Sequence, residues 1–160
     1  LGRLVGSEMC IRDRNKSEMA VGYSTLYGDL AGGFALIKDL YKSKVYELSN
    51  YRNSISEVIP KDIITKEPSA ELRPNQLDTD SLPDYEVLDK ILNLYIEQDS
   101  SSEKIIATGI QPDLVYDVLE KVDRNEYKRK QVAPGVKLTQ KAFGKDRRMP
   151  ITNTYIRQKE

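Results

Sequence analysis

A single core built mainly from amphipathic helices is what this sequence predicts, on three observations. The chain has 160 residues, 39% apolar and 31% charged, enough for one domain of ordinary size and short of two comfortable ones. Apolar side chains recur at helical spacing in two long stretches, Leu88, Ile91, Leu92, Tyr95 and Val115, Val118, Leu119, Val122. Between the periodic stretches lie segments rich in Gly, Pro and small polar residues, which read as loops.

Composition narrows the function. Twenty-five basic and 25 acidic residues give a formal net charge of zero, so nothing global points to nucleic acid or membrane. No apolar run approaches the roughly 18 residues of a membrane span, and the first residues lack the apolar segment of a signal peptide. The chain reads as cytoplasmic. One cysteine and no histidine exclude an internal disulfide, the usual zinc sets and the Ser-His and Cys-His catalytic pairs.

Taken in order, residues 1–14 have neither helical nor strand periodicity and set Cys10 and Ile11 beside charges. One choice of codons for Glu8 to Asp13 resembles the transposase adaptor used in short-read sequencing, the alternative being a native disordered terminus. Residues 1–14 are therefore read as translated adaptor, disordered and without function, and residues 15–160 as the structured part. Ser17 precedes a short helical turn, Glu18 to Val21, and "GYSTLYGDLAGGF" follows as a loop with tight turns, where backbone can approach a ligand. In "KSKVYELSNYRN", Val45, Leu48 and Tyr51 predict a helix with one apolar face. Lys42 and Lys44 stand at its start, where acids are preferred, and misplaced charge of this kind hints at function.

Residues 56–83 carry Pro60, Pro68, Pro74 and Pro83 and little periodicity, a connection long enough to suggest binding or mobility. Ser81 is expected to cap the next helix, with Pro83 in its first turn. A short helix over Ser102–Thr108 should stop at Gly109, and Pro112 should open the last long helix. Beyond Val122, Arg124, Lys128, Arg129, Lys130, Lys137, Lys141, Lys145, Arg147 and Arg148 outnumber the acids.

Three stretches, "NKSEMAVGYSTLYGDLAGGF", "KEPSAELRPNQLDTDSLPDYEVLD" and "VDRNEYKRKQVAPGVKLTQKAFGKDRRMPITN", resemble the C-terminal part of the ammonia-transferring domain of the glutamine-dependent NAD synthetases, which are N-type ATP pyrophosphatases. The resemblance implies an α/β, adenine nucleotide alpha-hydrolase-like (Rossmann-like) parallel-sheet domain, of which this chain holds mostly the helical C-terminal part. It implies a ligase that adenylates the carboxylate of deamido-NAD with ATP and Mg2+, then lets ammonia, derived from glutamine in a separate nitrilase-like domain, displace AMP to give NAD. A homo-oligomer is implied as well, with no nucleic acid or membrane partner.

The family reads Thr-Gly-Asn-Lys-Ser-Glu where this chain reads Asp13-Arg14-Asn15-Lys16-Ser17-Glu18, so its ATP-contacting threonine falls on Asp13. The family's Ser-Gly-Gly-x-Asp-Ser phosphate loop and its nucleophilic cysteine domain find no counterpart here. The chain is accordingly read as a fragment, inactive alone and of low stability.

By the same resemblance Glu18 holds magnesium and touches deamido-NAD, although a first-turn acid could equally serve the helix dipole. Tyr23, Ser24, Thr25 and Leu26 form the loop beside deamido-NAD, or else a plain turn. Lys42 and Ser69 contact ATP, and Tyr127 with Lys128 contacts deamido-NAD, unless Lys128 to Lys130 is only a solvated charge run. Asp78, Asp80 and Ser81 lie in an acidic loop to which no contact is assigned, and Arg147 and Arg148 support either the site or the dimer. The competing readings are a nucleic-acid-binding module that uses the basic extension with Tyr127, Phe143 and Tyr155, and a structural domain of helical hairpins.

Overall fold

The computed structural model describes residues 11–26, 28, 30–69, 78 and 82–152. In chain order the elements are β1 (Ile11–Arg12), α1 (Lys16–Val21), β2 (Phe34–Ala35), α2 (Lys42–Ile55), α3 (Lys61–Thr65), α4 (Tyr85–Leu92, continued by a wider π-helical turn, Asn93–Glu97), α5 (Ser102–Ile106), α6 (Pro112–Arg124) and α7 (Glu126–Arg129). The two strands pair in parallel, Ile11 opposite Phe34 and Arg12 opposite Ala35. The expected lack of structure thus does not extend to residues 11–14. Backbone pairing is open to any residue type, so it says nothing of where those letters came from. Residues 1–10, with Cys10, lie outside the described residues.

Helices α4 and α6 form the core as their spacing predicts. Leu88, Ile91, Leu92, Val115, Val118, Leu119 and Val122 have no exposed surface, and Ile96 and Ile105 close the same cluster. Pro112 opens α6 at a position where its missing N–H costs nothing. Gly109 follows α5 with φ +90°, and its N–H donates to the carbonyl of Ile106. At six residues α1 is too short to hold itself, yet all six are buried, because α2, α4, α6 and α7 surround it.

Three local expectations need correction. The cap of α1 is Asn15, whose side chain accepts the Glu18 N–H at 3.0 Å while Glu18 accepts the Asn15 N–H at 3.4 Å; Ser17 is already inside the helix. Helix α4 begins at Tyr85 with Asp84 before it, so Pro83 stands outside the helix rather than in its first turn; Ser81 lies outside the described residues. The apolar stripe of α2 is not buried, with Leu48 50% and Tyr51 65% exposed. Its periodicity gives a helix, but no described element covers that face.

Candidate functional site

The site is assembled at the two ends of α1. At its start, the capping box leaves the Glu18 carboxylate facing a cleft of about 210 Å³. Lys42, the first residue of α2, places its Nζ 3.3 Å from Glu18 Oε1, and Arg14 stands 3.5 Å from Oε2. Tyr23, Tyr46, Lys66, Glu67, Ser69 and Asp78 add further polar groups to the wall. The Lys42 ammonium also lies 5.5 Å from the Tyr85 ring, and the Tyr85 hydroxyl donates to Asp78 Oδ2 at 2.7 Å. Burial first, then the Asp78 carboxylate, pushes the Tyr85 phenol up, so it stays a donor across the working pH range.

The other end of α1 turns sharply at Gly22, whose φ of +73° is left-handed. A Cβ there would run into the Asn125 side chain, which itself donates to the carbonyls of Val21 and Lys121 at 3.0 and 2.7 Å. Lys128 completes the turn by donating to the carbonyls of Gly22 at 2.5 Å and Ser24 at 2.9 Å. Burial lowers its ammonium pKa. The Ser24 hydroxyl is buried without a hydrogen-bond partner.

Four of the residues singled out from sequence, Glu18, Tyr23, Lys42 and Ser69, therefore line one cleft. The other residues assigned a ligand contact do not join them. Lys128 faces the turn carbonyls, Thr25 and Tyr127 are exposed, and Leu26 is half-buried away from the lining. Asp78 does reach the cleft, while Asp80 and Ser81 lie outside the described residues.

The basic extension is mostly engaged within the chain. Arg129 is buried on the carbonyls of Ala20 and Val122 and on Glu126, Lys137 pairs with Asp146 at 2.7 Å, Lys141 pairs with Asp99, and Arg147 stacks 4.2 Å from the Tyr95 ring. Phe143, at 6% exposure, faces Lys16 and Arg129 instead of solvent. These contacts engage many of the cations of the extension and bury Phe143, while Tyr127 stays exposed; Tyr155 lies outside the described residues.

Two residues that the sequence reading passed over hold the site together. Lys16 is fully buried, 3.0 Å from Asp39 Oδ1 and in contact with Glu97, and it also donates to Thr139 Oγ1 at 2.5 Å and the Lys141 carbonyl at 2.9 Å. Asp89, 6% exposed, meets both the Ser17 hydroxyl and the start of α2. The only sequence signal for Asp89 is an acid set beside the buried stripe of α4.

The sequence model of the NAD synthase family matches residues 6–132, beginning within the segment read as adaptor. The chain belongs to that family. It is 59% identical over 143 residues to the glutamine-dependent NAD(+) synthetase of Aquifex aeolicus, covering 89% of this chain and 25% of the relative. To the enzyme of the same name from Acinetobacter baylyi it is 57% identical over 141 residues, covering 87% and 26%. The chain thus spans about a quarter of the length of these curated relatives. Among solved structures, a glutamine-dependent NAD(+) synthetase from Cytophaga hutchinsonii superposes with a TM-score of 0.66 at 23% identity, over 90% of this chain and 24% of that one. The NMN synthetase of Francisella tularensis gives 0.58 at 28%, over 81% and 45%. The fold class is accordingly the α/β, adenine nucleotide alpha-hydrolase-like fold of these synthetases, of which the described residues form helices and one small parallel pair. Among the described residues no helix is long and apolar enough to cross a membrane.

Proposed function

We propose that this chain supplies part of the nucleotide pocket of a ligase that converts deamido-NAD to NAD by adenylating a carboxylate with ATP and exchanging AMP for ammonia drawn from glutamine. The observation that supports it most is the convergence of Glu18, Tyr23, Lys42 and Ser69 on one cleft in a chain of the NAD synthase family.

The chemistry suits the residues. In the first step a carboxylate oxygen attacks the α-phosphorus and pyrophosphate departs, so negative charge accumulates on phosphate oxygens. A Lys42 ammonium fixed at the cleft wall offsets that charge without reorganising, and the Ser69 hydroxyl can hydrogen-bond a phosphate or ribose oxygen. In the second step ammonia attacks the mixed anhydride and AMP leaves. Lys128 serves this reading through the turn it holds, with Tyr23 carried on the cleft side of that turn.

Magnesium is tested by the donor set. Among the described residues no group of three acidic, His or Cys side chains could cage an ion, whereas Arg14, Lys42 and Lys66 share the lining of the cleft with Glu18, Glu67 and Asp78. Magnesium is commonly held by one or two carboxylates together with substrate phosphates, and a mixed-sign wall fits an ion that arrives on a polyphosphate, with Glu18 as its carboxylate. Bound there, the ion would supply charge neutralisation on the phosphates.

Titrating MgATP, then deamido-NAD, into the chain with NMR detection tests the reading. The amide resonances of Glu18, Tyr23, Lys42 and Ser69 should move together, and Lys42→Met should abolish the MgATP response. Shifts that map to another face, or none at millimolar ligand, would refute it. On this reading the chain by itself yields no NAD above background from deamido-NAD, ATP and ammonia.

A further inference from the structure

Helix α2 starts without a cap of its own. Tyr41, at the N-cap position, makes no side-chain bond to the first turn, and no acid stands in that turn. Its phenol is already committed to Glu97 at 3.2 Å. The first N–H groups of a helix have no partner within it, and with Lys42 and Lys44 beside them the local charge opposes the helix dipole.

The partners come from two other helices. The Lys42 N–H donates to Ser17 Oγ at 2.9 Å, the Ser43 N–H donates to Asp89 Oδ2 at 2.9 Å, and the Ser17 hydroxyl donates to Asp89 Oδ1. One buried carboxylate thus ties α1, α2 and α4 at a single point. Burial pushes the Asp89 carboxyl up, while the bonds from Ser17 and Ser43 and the charge of Lys42 act against that rise.

Ser17 and Glu18 are neighbours on α1, so the same short helix grips Lys42 twice: the backbone through Ser17 and the ammonium through Glu18, 3.3 Å away. We propose that Ser17 and Asp89 form a borrowed N-cap for α2, and that this cap holds the Lys42 ammonium against Glu18 at the cleft. Both are positioning residues. The geometric claim stands by itself, and its consequence for nucleotide binding rests on the function proposed above.

Carbodiimide coupling of Glu18 to Lys42, quantified by peptide mass spectrometry on the full chain, reads that placement without a ligand; MgATP affinity is measured on the same samples. Asp89→Ala and Ser17→Ala should each cut the cross-link yield at least threefold and weaken MgATP at least tenfold. Asp89→Asn should stay within threefold of wild type, because its amide oxygen can still accept the Ser43 N–H and its NH2 can still meet Ser17. Ser101→Ala, which removes an ordinary cap on α5 away from the cleft, should change neither. Wild-type cross-linking in Asp89→Ala below its unfolding temperature would overturn the proposal, as would Asp89→Asn behaving like Asp89→Ala. If Asp89→Ala does not fold, Ser17→Ala decides by the same criterion. If wild type takes up no MgATP, the nucleotide reading falls and the cross-link yields still decide the cap.

Discussion

Replacing Lys16 by Met should remove a large part of the stability of this chain while leaving its hydrophobic volume nearly intact. The ammonium has no exposed surface, and its four partners are the carboxylates of Asp39 and Glu97, the Thr139 hydroxyl and the Lys141 carbonyl. A methionine keeps the aliphatic stem and strands both carboxylates. Breaking a buried ion pair from one side costs about 3–5 kcal/mol, against a total of roughly 5–15 kcal/mol for an ordinary domain. With a urea slope of about 2 kcal/mol per molar, the midpoint should fall by about 1.5–2.5 M. Lys44→Met is the control, since that lysine pairs with Glu47 at 58% and 61% side-chain exposure and a surface pair contributes less than about 1 kcal/mol. Urea unfolding followed by far-UV circular dichroism measures both. Adding Asp39→Asn and Glu97→Gln to Lys16→Met should restore part of the loss, because the stranded charges are then gone. Equal losses for Lys16→Met and Lys44→Met would refute the reasoning.

Acid should destabilise through the same cluster. For Asp39, burial pushes the carboxyl up but is outweighed by the N–H groups of Thr139 and Leu138 and by Lys16; for Glu97, burial is outweighed by Lys16 and the Lys141 N–H, so both end below the ordinary range. Their contribution is full above the unfolded values, about 3.9 for Asp and 4.3 for Glu, and is lost as pH falls through the lower folded values. Asp89, held above its ordinary range by burial, acts in the opposite sense and gains as it is protonated, so Asp89→Asn should steepen the acid side of a urea-midpoint profile. Gly22→Ala should cost at least about 1–2 kcal/mol from the left-handed backbone alone, and more from Asn125; a calorimetric melt within a degree of wild type would contradict it. Lys128→Met should speed amide exchange at residues 22–24, because it holds the carbonyls of Gly22 and Ser24, and slow rates there would show that the turn stands without it.

The stripes of α4 and α6 were legible because burial on one helical face needs only the spacing of apolar residues, and Leu88, Ile91, Val118 and Val122 deliver it. The same pattern in Val45, Leu48 and Tyr51 gave a helix without a buried face, since periodicity says nothing about whether another element lies opposite. Lys42 and Lys44 looked misplaced because acids are preferred in a helix's first turn, and a cap is usually sought within a few residues of the helix it serves. The carboxylate that caps this helix start is Asp89 on α4, 46 residues beyond the Ser43 N–H it accepts, outside any local rule. The bonds from Lys128 to the Gly22 and Ser24 carbonyls were not legible, because a cation in a basic run carries no sign that its partners will be backbone carbonyls. Glu18 was read as a first-turn acid or a ligand-facing carboxylate and not as half of a capping box; in the structure one carboxylate oxygen meets the Asn15 N–H and the other Lys42.

The four letters Asn15, Lys16, Ser17 and Glu18 show how a short motif acts through architecture. Asn15 closes the first turn of α1, Lys16 binds α1 to the segment at 139–141 through Thr139 and the Lys141 carbonyl, Ser17 joins it to α2 and α4, and Glu18 alone among the four lines the cleft. A helix of six residues gains too little from its own bonds to stay folded, so its position is set by these partners and by the apolar faces of Ala20 and Val21. The placement of Glu18 is therefore a result of the other three, and it should respond to Lys16→Met and Ser17→Ala although neither side chain reaches the cleft. A conservative change at Glu18 itself, Glu18→Gln, keeps the cap because the amide oxygen still accepts the Asn15 N–H, and removes the charge facing Lys42 and Arg14. Comparing Glu18→Gln with Ser17→Ala separates the two contributions. Loss of MgATP binding in Glu18→Gln with unchanged stability assigns the effect to the charge, whereas loss in Ser17→Ala with the Glu18 charge intact assigns it to where that charge is held.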